Sequence, residues 1–569
     1  LAIGGNLTNN GRFDMSLNKG AGICQVSFYK IGDQTITGTG DTTRFRGVTL
    51  NKGAIGNKVI CSINVWMASP NLRYTAGTWE QNAGRLTASS TLNIGVLSTA
   101  SAGLHIIGSG STRVTSNINV YGTFLVNTTD SVIVGSGSQK IDATYQLGSY
   151  ATYTNGTVLI YGKFATSGLC ATTINGANII VDPQGFAAIS GTDYAFRSTT
   201  GTGGINPFTF TSGTVTILNP NSTPGASPEL AMSAGVIPNI SGTATFILGQ
   251  GAATIASTAG YRISLNSAAY LNHLIINTGS VAVSQPAAAS LTVKGTMTIT
   301  SGTHTVGPNT FTLYNPIAGT ETNFFAGKTS SLRFYGTAAG MKIPSTVDSL
   351  KNLTIGNANG VTLQKNLYVD TTVTMSHGIL NGDSYALSYG QYGKLIYNDT
   401  LVAQTTTDAE FPAVNGPHRL TIADSLGVTL HASRMLDTAI TITKGILSTG
   451  ANTLTADAYC NVDSGATGRY INGKLARVLP ATGSPIKYFG IGDATKYAPV
   501  SLAFNTVTAG GTITVSTSGN DHTNIDASTI NPTKSLNRTW TVTNTTAAFT
   551  DYAATFKFDA TDVDGGATT

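Results

Sequence analysis

At 569 residues, with 66 glycines, 41% apolar and only 10% charged side chains, the chain is too apolar for a disordered Gly/Ser-rich segment and far below the roughly 25% charge of an ordinary globular domain. Only four acidic residues are glutamate (Glu80, Glu229, Glu321, Glu410), so the residues that build exposed helix faces are scarce and helices are not expected. A net charge of +5 gives no electrostatic case for nucleic acid, and no apolar run approaches the ~18–20 residues of a membrane helix, so neither partner is expected.

The first 60 residues carry Leu7, Gly11, Phe13 and Met15, a weak copy of the pattern apolar-x-apolar-x-Gly-x-apolar-x-apolar. The pattern returns as Ile118, Val120, Gly122, Phe124, Val126, then as Val158, Ile160, Gly162, Phe164, and again as Leu291, Val293, Gly295, Met297, Ile299. One glycine between two short strands permits a sharp corner from one sheet to the next. Residues 46–53, "RGVTLNKG", align with "KNLTIGNANG" further on and mark a related unit. Trp66 and Trp79, beside strand-like triplets, read as core or edge-covering aromatics, with sugar stacking as the alternative. The Pro-, Gly- and Asn-rich stretch near 200–240 reads as an irregular insertion into the regular pattern.

Residues 270–316 form another copy, ahead of the clearest repeat. There, 353–387 and 420–454 match at 14 of 35 positions with no gap, at an offset of 67 residues. The matches are apolar alternations and turn glycines, including the pairs Gly360/Gly427 and Gly378/Gly445. Inside the repeat, apolar-x-apolar triplets begin at Leu353, Val373, Leu395, Leu420 and Ile440, at spacings of 20, 22, 25 and 20 residues. A step of about 22 residues suits one coil of a parallel β-solenoid, and the 67-residue offset is three coils. Asn6, Asn117, Asn178, Asn352 and Asn366 precede such triplets, either as rungs bonded along a solenoid edge or as ordinary turn residues.

After about residue 465 the runs lengthen, and some seven strands with turns every 8–12 residues suggest an antiparallel sandwich. The expected fold is therefore all-β: a long parallel β-solenoid over 1–464, followed by an antiparallel β-sandwich over 465–569, incomplete at its C-terminal end. The leading Leu1 and the abrupt last segment suggest a processed or incomplete chain.

Catalytic signals are missing: no HExxH, Walker loop, GxSxG or GxGxxG occurs, and no enzymatic activity is expected. His377 and His431 read as exposed strand residues, and the aspartates look singly spread; Asp370 and Asp437, three coils apart, lie ~14 Å from each other by strand spacing. Cys24, Cys61, Cys170 and Cys460 read as buried apolar residues, with a Cys24–Cys61 disulfide open if the protein is secreted. No cofactor is expected beyond calcium, for which Asp562 and Asp564 in "DATDVDGG" are a weak candidate pair, since Ala560 stands at the first ligand position of an EF-hand pattern.

The strings "GNLTNNGRFDM", "FRGVTLNKG", "LTIGNANGVTLQKNLYVDTTVTM" and "GKLARVLPATGSPIKYFGIGD" resemble those of large repetitive secreted proteins of Bacteroidota, adhesin-like cargo of the type IX secretion system. That resemblance implies export to the cell surface, secretion-system components as partners, and O-glycosylation at Asp-Ser/Thr triplets; here these would modify Thr42, Ser131, Ser349, Thr371, Thr400, Ser425 and Thr438. The family's C-terminal sorting domain is not visible before Thr569. The expected function is an extracellular structural or adhesive shaft, with surface glycans or further copies of the chain as partners. The alternatives are a carbohydrate-binding protein using Tyr74, Trp79, Tyr389 and Tyr392 as a sugar platform, or a polysaccharide-degrading β-helix enzyme.

Overall fold

The computed structural model describes residues 1–16, 24–41, 43–68, 72–96, 102–135, 141–142, 149–166, 170–183, 194–199, 208–220, 228–233, 235–236, 238–251, 260–286, 289–565 and 567, with side chains of 72–75 and 141–142 excepted. The chain is all-β with 2% helix, and its parallel solenoid turns, about 19 in number, follow one another roughly 22 residues apart. It divides into two compact units, Leu1–Phe325 and Ala326–Thr569.

In the first unit, each strand lies parallel on its counterpart one coil earlier. Ala102–Gly108 sits on Thr123–Val134, which sits on Ser149–Tyr161, which sits on Cys170–Asp182. Alternation sends every second side chain inward, so equivalent positions stack into columns. One column runs Ile106, Val126, Tyr153, Ile174, Phe210, Ile240, and another runs Val114, Val134, Ile160, Val181, Ile217, Leu248, Ile276, Ile299. All of these residues are buried, at about 1.5–3 kcal/mol of stabilisation for each large side chain. Gly122 makes the expected corner, and a Cβ there would run into the Ala102 carbonyl of the coil below.

The stretch 200–240 contributes Phe208–Ile217, Leu230–Met232 and Asn239–Ile240 to these ladders, so the coil pattern runs through the expected insertion; 201–207 and 221–227 lie outside the described residues. The coil step widens there: Ile179 pairs with Val215 and Val215 with Phe246, 36 and 31 residues on.

The second unit reproduces the triplet spacing read from the sequence. Leu332 pairs with Leu353, Leu353 with Val373, Val373 with Leu395, Leu395 with Leu420, Leu420 with Ile440, and Ile440 with Val462. Gly378, one of the repeated turn glycines, has φ +76° and packs against the Asn357 carbonyl, so both its backbone and its space exclude a side chain.

Strand Arg469–Leu479 belongs to both halves of the expected architecture. It pairs in parallel with Gly445–Ala456 and antiparallel with Gly511–Ser518. Ile491–Gly492 adds one more short parallel pairing to it, and the other ladders beyond it are antiparallel: Gly511–Ser518 with Thr539–Thr545, and Val500–Phe504 with both Ile486–Phe489 and Tyr552–Phe556. Leu475, Ile513, Val515, Phe489 and Leu502 are buried there, whereas Tyr552–Phe556 is exposed along its whole length, without the alternation of a packed sandwich face.

Candidate functional site

Two places gather polar chemistry on the repeating scaffold. In the second unit, register puts Asn357, His377, Asp399, Asp424 and Lys444 at one position on successive coils, each two residues past a buried strand residue. Asn357, Asp399 and Asp424 each accept the backbone N–H two residues ahead, at 2.9, 2.8 and 2.8 Å, closing identical Asx turns. His377 Nδ1 lies 2.8 Å from Asp399 Oδ2. Burial opposes charge on Asp399, but the Leu401 N–H and the His377 ring outweigh it and hold the carboxyl below its usual range. Asp424 goes the other way: burial first, then the charge of Asp399, raises its pKa. Its Oδ2 is buried with no hydrogen-bond partner among the described residues.

The 25-residue coil between Leu395 and Leu420 carries the longest loop of this regular stretch, and buried polar groups pin it down. Glu410 is buried; its carboxyl accepts from Tyr397 Oη at 2.8 Å, from the Thr407 N–H and from the Thr407 hydroxyl. Burial raises its pKa despite these bonds. Tyr389 Oη donates to the Glu410 carbonyl, while Arg434 donates to the Phe411 carbonyl at 2.6 Å and pairs with Asp408, which His431 also contacts. A cavity of about 320 Å³ is lined by Tyr397, Gln404 and Glu410. With its carboxyl held by Tyr397 and Thr407, Glu410 fastens the loop to the coil.

These contacts correct several expectations. His377 and His431 are half-buried and paired with Asp399 and Asp408, because the turns that follow their strands fold back onto the neighbouring coil. The carboxylates are not all singly spread: Asp399 and Asp424 occupy adjacent coils, a relation visible as Asp-Thr-Leu and Asp-Ser-Leu 25 residues apart. The expected sugar platform does not assemble. Trp79 is wholly buried and bonded to Gln81, Tyr389 is buried against Glu410, Tyr392 is exposed, and the Tyr74 side chain lies outside those described.

Asp562 and Asp564 sit together, but the set does not fit a calcium ion. Asp562 receives Lys496 Nζ and Arg538 Nε, both at 2.6 Å, and Asp564 receives the Asn537 amide and the Ser535 N–H. Two cations on one carboxylate replace the charge that a metal would supply, and no group of three metal-ligating side chains occurs among the described residues. All four cysteines are free, so Cys24 and Cys61 are not bridged; Cys61, Cys170 and Cys460 are buried, and burial pushes the Cys61 and Cys460 thiols up to about 11.

Among the Asp-Ser/Thr triplets, Thr400 and Ser425 are exposed at the tips of the Asx turns. The hydroxyls of Ser131, Ser349 and Thr438 donate to the preceding aspartates, at 3.1, 2.9 and 2.9 Å. Thr371 is half-buried, and Thr42 lies outside the described residues.

Four of the five asparagines that precede strand triplets, Asn6, Asn178, Asn352 and Asn366, form rungs between coils. Asn6 and Asn366 accept the N–H groups of Thr35 and Ala386 on the next coil, Asn178 accepts from Thr214 and Asn352 donates to Ser331; Asn119 donates to Asn93 at 2.7 Å, a direct Asn–Asn rung.

The second place is on the outer face of the first unit. Asp14, Arg44, Trp66, Thr87 and Arg113 stand at one outward position on successive coils. The Arg44 guanidinium lies 5.7 Å from the Trp66 ring centre, and a concave groove of about 500 Å³ opens between Arg44, Trp66, Arg85, Ser111 and Asp130. Sequence reasoning left Trp66 as a covering aromatic because the three arginines near it come from three other coils. No known protein-family model, curated protein or solved structure matches the chain.

Proposed function

We infer that the protein is an extracellular structural or adhesive protein whose parallel solenoid serves as a repetitive shaft-like scaffold. The observation that carries this is the register from Leu332 to Val462: every coil bonds to the next through backbone ladders, and Leu332, Leu353, Val373, Leu395, Leu420 and Ile440 stack as buried aliphatics. Such a lattice resists bending and proteolysis and presents outward side chains at a fixed ~4.8 Å interval. The resemblance of its strings to secreted Bacteroidota proteins supports export as type IX cargo and glycosylation at Thr400 and Ser425, which are the exposed residues among the described members of the Asp-Ser/Thr set. The antiparallel strands after Leu479 are read as a sandwich module at the end of the coil ladder. Electron microscopy and protease shaving of native cells test this: rods or filaments released from the surface are expected, and a compact intracellular particle would overturn it.

A further inference from the structure

We propose that the Arg44–Trp66–Arg85 groove is a binding site for an acidic, uronate-type polysaccharide lying along the coil axis. The proposal deepens the adhesive part of the function above and leaves its scaffold part untouched: loss of glycan binding would not alter the ladders, and loss of the rod would not spare the groove. Its basis is a set of outward residues that the scaffold does not use. Trp66 is only half-buried, although its strand neighbours Val65 and Met67 fill the core. An indole left at the surface beside a groove of about 500 Å³ offers a flat apolar face of the kind on which a sugar ring stacks.

Charge selects the class of sugar. Asp14, at one end of the column, is already satisfied by Arg12 at 3.1 Å, and Arg44 reaches it only at 4.0 Å. The Arg85 side chain has one long contact, 3.5 Å to Ser111 Oγ, and neither Arg85 nor Arg113 has a carboxylate partner among the described residues. Arg44, Arg85 and Arg113 therefore present three guanidiniums across four coils, a span of ~14 Å, with Trp66 between the first two. Guanidinium is the side chain suited to bidentate recognition of carboxylates. Asn64, Thr87 and Ser111 add donors and acceptors for ring hydroxyls.

The same features disfavour single-stranded nucleic acid. That ligand calls for several stacking aromatics along a uniformly positive channel. Here one indole is the only aromatic side chain among the described residues that line the groove.

The test is affinity electrophoresis of the full chain through gels containing polygalacturonate, neutral dextran or oligothymidylate. Retardation by polygalacturonate alone is expected, falling several-fold between ~0.05 and ~0.3 M salt. Trp66→Ala and Arg85→Gln are each expected to weaken it about tenfold with an unchanged circular dichroism spectrum, and Tyr392→Ala, in the other unit, to leave it intact. Should Trp66→Ala disturb the core, Arg113→Gln, which changes an exposed side chain, carries the same expectation. No retardation by polygalacturonate, equal retardation by dextran or oligothymidylate, or wild-type mobility of Arg85→Gln and Arg113→Gln would overturn the proposal.

Discussion

The coils around 124–246 and those from 332 to 462 solve one stacking problem with different materials. In the first, the core is an aromatic chain: Phe124 meets Tyr153, Tyr153 meets Phe164, Phe164 stacks on Phe196, and Phe196 touches both Phe208 and Phe246, with ring centres 5.5–5.8 Å apart. In the second, the corresponding column is Leu332, Leu353, Val373, Leu395, Leu420 and Ile440, all buried. Coil steps reach 36 residues in the aromatic stretch and stay between 20 and 25 in the aliphatic one. Register therefore does not require a constant coil length. Only the strand segment must match its neighbour, and extra residues in a turn cost little because closure entropy grows slowly with loop length. Rings with edge contacts worth about 0.5–1.5 kcal/mol each compensate where the turns are long, while short uniform turns allow a simple aliphatic stack.

The most damaging way to probe this contrast is to empty one position in each column. Phe196→Ala removes three ring contacts at once and is expected to cost about 4–5 kcal/mol, against about 2–4 kcal/mol for Leu395→Ala. Hydrogen exchange resolves the two, because a repeat protein need not unfold in one step. Amides of Phe208–Ile217 should lose more protection in the first variant than those of Arg419–Ile422 lose in the second. Equal losses would mean that the aromatic chain adds nothing beyond its buried area.

A second probe concerns the 25-residue coil, the one irregular step in the aliphatic stretch. Arg434→Ala removes the bonds to Asp408 and to the Phe411 carbonyl and should cost about 2–3 kcal/mol, the range of hydrogen bonds made by a charged donor. Limited proteolysis should then cut within 400–417 first. An unchanged cleavage pattern would show that Glu410 and its tyrosines hold the loop unaided.

A third probe returns to the first unit, where His304 lies buried between Phe311 and Phe324 and neither ring nitrogen has a hydrogen-bond partner among the described residues. Burial depresses its pKa from 6.5 to about 3. Protons therefore bind the unfolded chain first, and stability present above pH ~6.5 is lost as pH falls toward about 3, by about 2 kcal/mol at pH ~5. His304→Leu should flatten that slope in urea titrations followed at Met297–Thr305. A slope that survives the substitution would assign the acid sensitivity to other groups.

The same contrast explains what the sequence made legible. Leu353, Val373, Leu395, Leu420 and Ile440 could be placed in register from spacing alone, since uniform turns keep the apolar period in phase with the coil. Phe196 and Phe208 could not, because the segments between them break that phase and a buried ring carries no sequence sign of which ring it meets. Likewise the Asx-turn aspartates were visible as Asp-Thr-Leu and Asp-Ser-Leu, but not the burial that sets Asp399 and Asp424 apart. Trp66 and its arginines are 19 or more residues apart in sequence and become neighbours only once the coil length is known for each step.

The smallest expected effect, opposite in sign, sits at Asp424. Its Oδ1 closes the turn through the Leu426 N–H, a role that an amide oxygen fills equally well. Its Oδ2 is buried without a partner and faces the charge of Asp399, so in the folded chain the carboxyl resists ionisation. The folded pKa stands above the unfolded one. Stability contributed at this position is therefore full at low pH and lost as pH rises from the unfolded value through the folded one. Asp424→Asn keeps the turn and removes the charge. It should match the wild type near pH ~4 and exceed it by up to about 1 kcal/mol at pH ~7, as expected for relieving one poorly satisfied buried group. The gap between the two urea profiles should open with rising pH. A variant that is less stable at neutral pH, or a gap that does not change with pH, would show that Asp424 is held charged, and that the Asp399–Asp424 column relies on donors absent from its own coils.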